Sequence, residues 1–168
     1  GLKLDLVAAE PLIQNVVSFA FDERGRIYVV ETGRRRTSVF DIRNHKSWVD
    51  ADLSFRTVED RAGFLKKHTL LDDPDFVAAL QAAGRGGFGD FNRDGALDWR
   101  DLEVESERIR LLTDFDPNGR AVRAVTFADG FNSLVSGVAA GVLTRKGQVW
   151  FACIPDLWLL QDLSGTGE

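Results

Sequence analysis

The stretch Asp90-Phe91-Asn92-Arg93-Asp94-Gly95-Ala96-Leu97-Asp98-Trp99-Arg100-Asp101 puts oxygen-bearing side chains at its first, third and fifth positions and a glycine at its sixth. That is the D-x-D/N-x-D/N-G pattern of an EF-hand-type loop, and the rest of the stretch continues it. Leu97 supplies the apolar eighth residue, Asp98 an oxygen at the ninth and Asp101 a carboxylate at the twelfth. Calcium takes about six to eight hard oxygen ligands, and this spacing wraps them around one point. The expected donors are the side chains of Asp90, Asn92, Asp94, Asp98 and Asp101 and the backbone carbonyl of Ala96, with Gly95 allowing the sharp bend. Asp at the twelfth position reaches less far than Glu, which predicts modest affinity. The competing reading is a solvated acidic turn. Four carboxylates held together without a cation repel one another, so the ion's expected role is to stiffen the segment. A sensor role fits poorly, because sensor loops come in pairs with Met-rich grooves and this chain has no Met.

Other residues with chemical potential are fewer. Asp114-Phe115-Asp116-Pro117-Asn118-Gly119 repeats the first half of the pattern, but Val122 and Val125 stand where later ligands are needed, so it reads as a turn. With only two histidines, His45 and His68, a His-rich metal centre or a nucleophile triad within this chain is not expected. His45, between acidic Asp41 and aromatic Trp48, is the best candidate for a general base, against the plainer reading of a surface histidine. The single cysteine, Cys153, excludes an internal disulfide, a CxxC pair and a CxxCH haem attachment, and its strand-like neighbours predict a buried, inert thiol. Arg34-Arg35-Arg36 is the one basic run, a solvated strand end or an anion-binding patch. Gly84-Arg85-Gly86-Gly87 follows a predicted helix instead of opening one, so it is a connector and not a dinucleotide fingerprint.

The chain has 168 residues, 44% of them hydrophobic, and a net charge of −5, the profile of a globular domain. Acidic clusters around Asp72–Asp75 and Asp90–Glu107 argue against a nucleic-acid partner and for metal cations. Its apolar runs, such as Val135–Leu143, fall short of the roughly 20 residues a membrane-spanning helix needs. The N-terminal Gly1-Leu2-Lys3-Leu4-Asp5 lacks the layout of a signal peptide, so an export signal is expected to be absent or removed.

An internal echo suggests the architecture that carries the loop. Leu111–Gly119 aligns with Leu159–Gly167, and Phe19–Val29 aligns with Gly141–Phe151 on Gly25 and Gly147. The first offset is a propeller-blade length, and the second exceeds it, which predicts an insertion over residues 32–105 in the first copy. Strands are expected at Ser18–Phe21, Arg26–Glu31, Arg108–Thr113 and Ala121–Phe127, then at Val138–Leu143, Gln148–Ile154 and Leu157–Leu160. Leu2–Ala8 would be a further lone strand. The fold class is therefore mainly β: a partial β-propeller, about one and a half blades of four-stranded antiparallel meander, with a helical, calcium-loop-containing insertion. A jelly roll or sandwich remains open. Within the insertion, Asp72-Asp73-Pro74 predicts a helix over residues 75–83 leading to the calcium loop at 90–101.

Glu10-Pro11-Leu12-Ile13, Ser18–Thr32, Arg56-Thr57-Val58-Glu59-Asp60-Arg61, Phe127–Asn132 and Cys153-Ile154-Pro155-Asp156-Leu157-Trp158 resemble the N-terminal propeller segment of a bacterial family of membrane-bound dehydrogenase-like proteins. That family is distantly similar to the quinoprotein glucose and sorbosone dehydrogenases. The resemblance implies an exported protein, periplasmic or extracellular and membrane-associated through other parts. It would oxidise a sugar or alcohol with pyrroloquinoline quinone and pass electrons to a cytochrome c domain elsewhere in the full-length protein. In this reading Arg34 and Arg35 lie at the cofactor, His45 acts as base, and Asp129 and Asn132 line the channel mouth. The alternative is a non-catalytic, calcium-stabilised propeller scaffold that binds a glycan or protein partner, with Trp48, Trp99, Trp150 and Trp158 as core or stacking residues and most of them core.

Overall fold

The computed structural model describes residues 1–35, 37–39, 42, 46–69, 74, 77 and 89–163. Apart from Val77, the expected helix over 75–83 lies outside the described residues, as does the candidate base His45. The chain forms two compact units. The first comprises 1–33, 107–131 and 139–168, and the second 34–106 and 132–138.

The first unit is mainly β, with two antiparallel sheets. The four-stranded sheet runs in sequence order through β1 (Val16–Phe21), β2 (Ile27–Glu31), β3 (Glu107–Phe115) and β4 (Ala121–Phe131). The three-stranded sheet is β5 (Ala139–Arg145), β6 (Gln148–Cys153) and β7 (Asp156–Gln161). Asp22 builds the β1–β2 turn: its Oδ1 accepts from the backbone N–H groups of Arg24 and Arg26 at 2.9 and 2.8 Å, and its Oδ2 from Arg26 Nε at 2.6 Å. Gly25 and Gly147 sit at φ +76° and +75°, the left-handed region where a side chain would add strain. Asp116 repeats Asp22's job in the β3–β4 turn, accepting from Asn118 and Arg120 N–H at 2.9 Å each.

Alternation decides which side each residue faces. Tyr28, Val30, Ile109 and Leu111 of the larger sheet meet Val149, Phe151 and Cys153 of the smaller one in a shared core, and Tyr28 packs edge-on against Phe127 with ring centroids 5.0 Å apart. Ile27, Val29, Leu112 and Ala121 face the other way and are partly covered by Ala8, Leu12 and Ile13. A buried carboxylate ties strand ends together. Glu107 accepts from Thr32 Oγ1 at 2.8 Å and from the Ala139 N–H at 2.9 Å.

Two expectations are corrected here. Leu2–Ala8 is not a strand; Leu2 and Leu4 are fully exposed, and the segment's backbone link to the sheet is the bond from Ala121 N–H to the Val7 carbonyl. Trp150 and Trp158 are exposed although both lie in strands, because β6 turns Val149 and Phe151 inward, leaving Trp150 on the outer side, and Trp158 lies on the terminal strand of its sheet. Trp48 is buried, in the core of the second unit.

Among the described residues, that second unit contains a 3-10 turn (Lys46–Trp48), α1 (Val49–Ser54), α2 (Val58–His68) and a further 3-10 segment (Trp99–Glu103). Trp48, Leu65, Leu102 and Leu134 form its core. Thr57 and Asp60 close a reciprocal capping box at the start of α2, and Lys66, Lys67 and His68 complement the helix dipole at its end. The signal was present as Thr-x-x-Asp in the sequence.

Candidate metal centre

Residues 89–103 of the second unit form a loop followed by a single 3-10 segment. Asp90 Oδ1 and Oδ2 accept from the backbone N–H groups of Asp94 and Gly95, each at 3.1 Å. Asn92 Oδ1 accepts from Asp94 N–H at 2.9 Å, and Asp94 Oδ1 from Ala96 N–H at 2.8 Å. Each side chain thus folds forward onto the amides that follow it, the ordinary local habit of Asp and Asn. Arg93 at φ +61° and Gly95 at +86° turn the chain so that three successive oxygen-bearing residues curl around one another. Asp90 and Asp94 are exposed and Asn92 is half-buried.

Asp98 and Asp101 do different work from the first three. Asp98 caps the 3-10 segment through Arg100 N–H at 2.8 Å and pairs with the Arg100 guanidinium. Asp101 is fully buried, and its carboxylate accepts three backbone bonds, from Phe91 and Asn92 N–H at 2.8 and 3.2 Å and from Asp98 N–H at 3.0 Å. A carboxylate offers about four lone-pair directions, so Asp101 has about one left. Among the described residues, no three His, Cys, Asp or Glu side chains converge as a set able to hold a metal ion.

The arginine run has split roles. Arg35 is exposed. Arg34 is fully buried, and its guanidinium donates to four carbonyls: Glu105 at 2.8 Å, Ser38 at 2.9 Å, Ser136 at 3.0 Å and Ser133 at 3.1 Å. It clamps together the two stretches of chain that make up the second unit. Neither a solvated strand end nor an open anion patch describes it, and the sequence hid this because three of its four partners lie 71 or more residues away. Asn132 holds the same region by donating to the Glu103 carbonyl, while Asp129 is exposed.

Among the described residues, no helix is long and apolar enough to cross a membrane. No curated protein and no solved structure matches the chain. A family does: the Domain of unknown function DUF7133 covers residues 1–168, and the chain belongs to it.

Proposed function

We propose that the chain is a calcium-stiffened scaffold of partial β-propeller type, which presents its sheets to a partner and uses the ion to order the segment between β2 and β3. The observation that carries this reading is the curl of Asp90, Asn92 and Asp94. Their oxygens each accept one N–H of the loop, which leaves lone pairs for a hard cation. Asp90, Asn92 and Asp94 would hold calcium with the Ala96 carbonyl, and Asp98 and Asp101 would close the shell by reorganising. When bound, the ion supplies charge neutralisation for the acidic loop. A site of modest affinity suits a periplasmic or extracellular setting.

Titration calorimetry with calcium tests this on the wild type, Asp90→Ala and Asp94→Ala. One site lost in both variants is the expected result; no binding heat in a folded wild type overturns it. The oxidative reading, with a quinone and a sugar or alcohol, asks Arg34 to face a cofactor, and that side chain's four carbonyl bonds weigh against the role. Dye reduction by a longer protein supplied with pyrroloquinoline quinone, calcium and a sugar would favour it over the scaffold.

A further inference from the structure

The two carboxylates at the end of the acidic loop are engaged in different ways. Asp101 accepts from three backbone N–H groups, neutral donors that a carboxylate can keep while it still offers a lone pair. Asp98 is held by a charge. Its Oδ1 accepts from the Arg100 N–H at 2.8 Å, and its Oδ2 pairs with the Arg100 guanidinium. Among the described residues, Arg100 is the one cation on that carboxylate. The Asp98 side chain is 10% exposed and that of Arg100 57%, so the base reaches a nearly buried acid from the solvent side.

A calcium ion sits about 2.3–2.6 Å from each ligating oxygen. A guanidinium nitrogen at the ordinary charge-assisted distance, about 2.7–2.9 Å, takes up the same space around Oδ2. Two cations at those distances from one oxygen repel each other strongly. Either the ion goes without the ninth-position ligand or the guanidinium leaves. Arg100 is free to leave, because its head is already largely in water and the ion takes over the neutralisation of Asp98. The Arg100 guanidinium also lies over the ring of Trp99, 5.3 Å from its centroid, and Lys66 Nζ lies over the same ring at 4.8 Å. This corner of the second unit thus carries two positive charges, of which one is paired with a loop carboxylate.

We infer that Arg100 is a built-in competitor of the cation: its guanidinium occupies the ninth-position carboxylate of the loop, and calcium completes its shell there by exchanging with it. Arg100 therefore sets how tightly the loop holds the ion. The inference rests on the calcium reading and names the residue that regulates that site.

The test is calcium titration calorimetry on the 168-residue chain, wild type against Arg100→Gln, Lys66→Gln, Asp98→Asn and the double variant Asp98→Asn with Arg100→Gln. Arg100→Gln should bind calcium about two- to fivefold more tightly, the usual size of one solvent-screened ion pair. Lys66→Gln removes the same charge from the same ring and should leave the affinity unchanged. In the Asp98→Asn background the gain from Arg100→Gln should vanish, since the two residues act as a pair. As a second readout, the guanidinium N–H resonance of Arg100, assigned by its loss in Arg100→Gln, should shift when calcium is added to the wild type. An Arg100→Gln protein that binds with wild-type affinity overturns the inference and leaves the calcium site standing. A gain matched by Lys66→Gln, or retained in Asp98→Asn, overturns it as well, because general charge and not the pair would then be responsible. Absence of binding heat in every one of these folded proteins sinks the calcium site and this inference with it.

Discussion

Arg34 carries a full charge where water does not reach, with backbone carbonyls of Ser38, Glu105, Ser133 and Ser136 around it. Truncating it leaves several buried acceptors without their donor, each costing about 1–3 kcal/mol. Arg34→Met should therefore destabilise the second unit by about 3 kcal/mol or more in a denaturant titration, whereas Arg35→Ala, at an exposed position, should change little. Asp22 gives a prediction in pH. Burial pushes its carboxyl up, but the bonds from the Arg26 side chain and from the Arg26 and Arg24 amides outweigh this and hold it below the usual 3.8. A carboxylate with a depressed folded pKa contributes stability that is present above its unfolded pKa and lost as pH falls through the folded one. Replacing it by Asp22→Asn should thus lower stability at neutral pH and flatten the acid limb of the unfolding curve below about pH 4. The sequence made the turn of the acidic loop legible because the contacts of its Asp and Asn side chains are local, every one lying within a dozen residues. Arg34 was illegible because nothing near it in sequence says that Glu105 and Ser133 will meet it.

Short-range chemistry also separates the elements that could be read from those that could not. The hairpins were legible, since β-branched and aromatic runs alternate around Gly25, Gly119 and Gly147, and the strands differ from the expected bounds chiefly at their ends. Leu2–Ala8 has the same alternation but lies outside the sheets, which shows that apolar periodicity alone does not make a strand without a neighbour to complete its hydrogen bonds. α2 went unread although Thr57 and Asp60 announce it. Thr57→Ala should cost about 1 kcal/mol in the urea unfolding of the second unit, the usual loss for a cap. Within the loop, a methyl at Gly95 would meet nothing within 4 Å, so Gly95→Ala should act only through its φ of +86°, about 1 kcal/mol of backbone strain, and weaken calcium binding accordingly. Asp101→Ala separates structure from ligation. It should destabilise the protein even in chelator, because three backbone donors lose their acceptor, whereas Asp90→Ala should matter only when calcium is present.

At the scale of the molecule, the two compact units predict a local response to the ion. Calcium at about a hundredfold above its dissociation constant should stabilise the second unit by about 2.7 kcal/mol. Hydrogen exchange should slow across residues 90–101 and leave β5–β7 unchanged. A different consequence comes from where the long segment leaves and rejoins the larger sheet. Glu31 and Arg108 face each other in register across β2 and β3, so the two ends of residues 32–107 lie side by side, where a tight turn would otherwise stand. Closing a loop becomes costlier only logarithmically with its length, about 0.6 kcal/mol for each doubling. This junction should therefore tolerate changes in the length of the segment it closes. Relatives are expected to lengthen, shorten or exchange their chain here while keeping the small turns at Gly25 and Gly147, and a foreign domain grafted between Glu31 and Arg108 should leave the sheet's register unchanged.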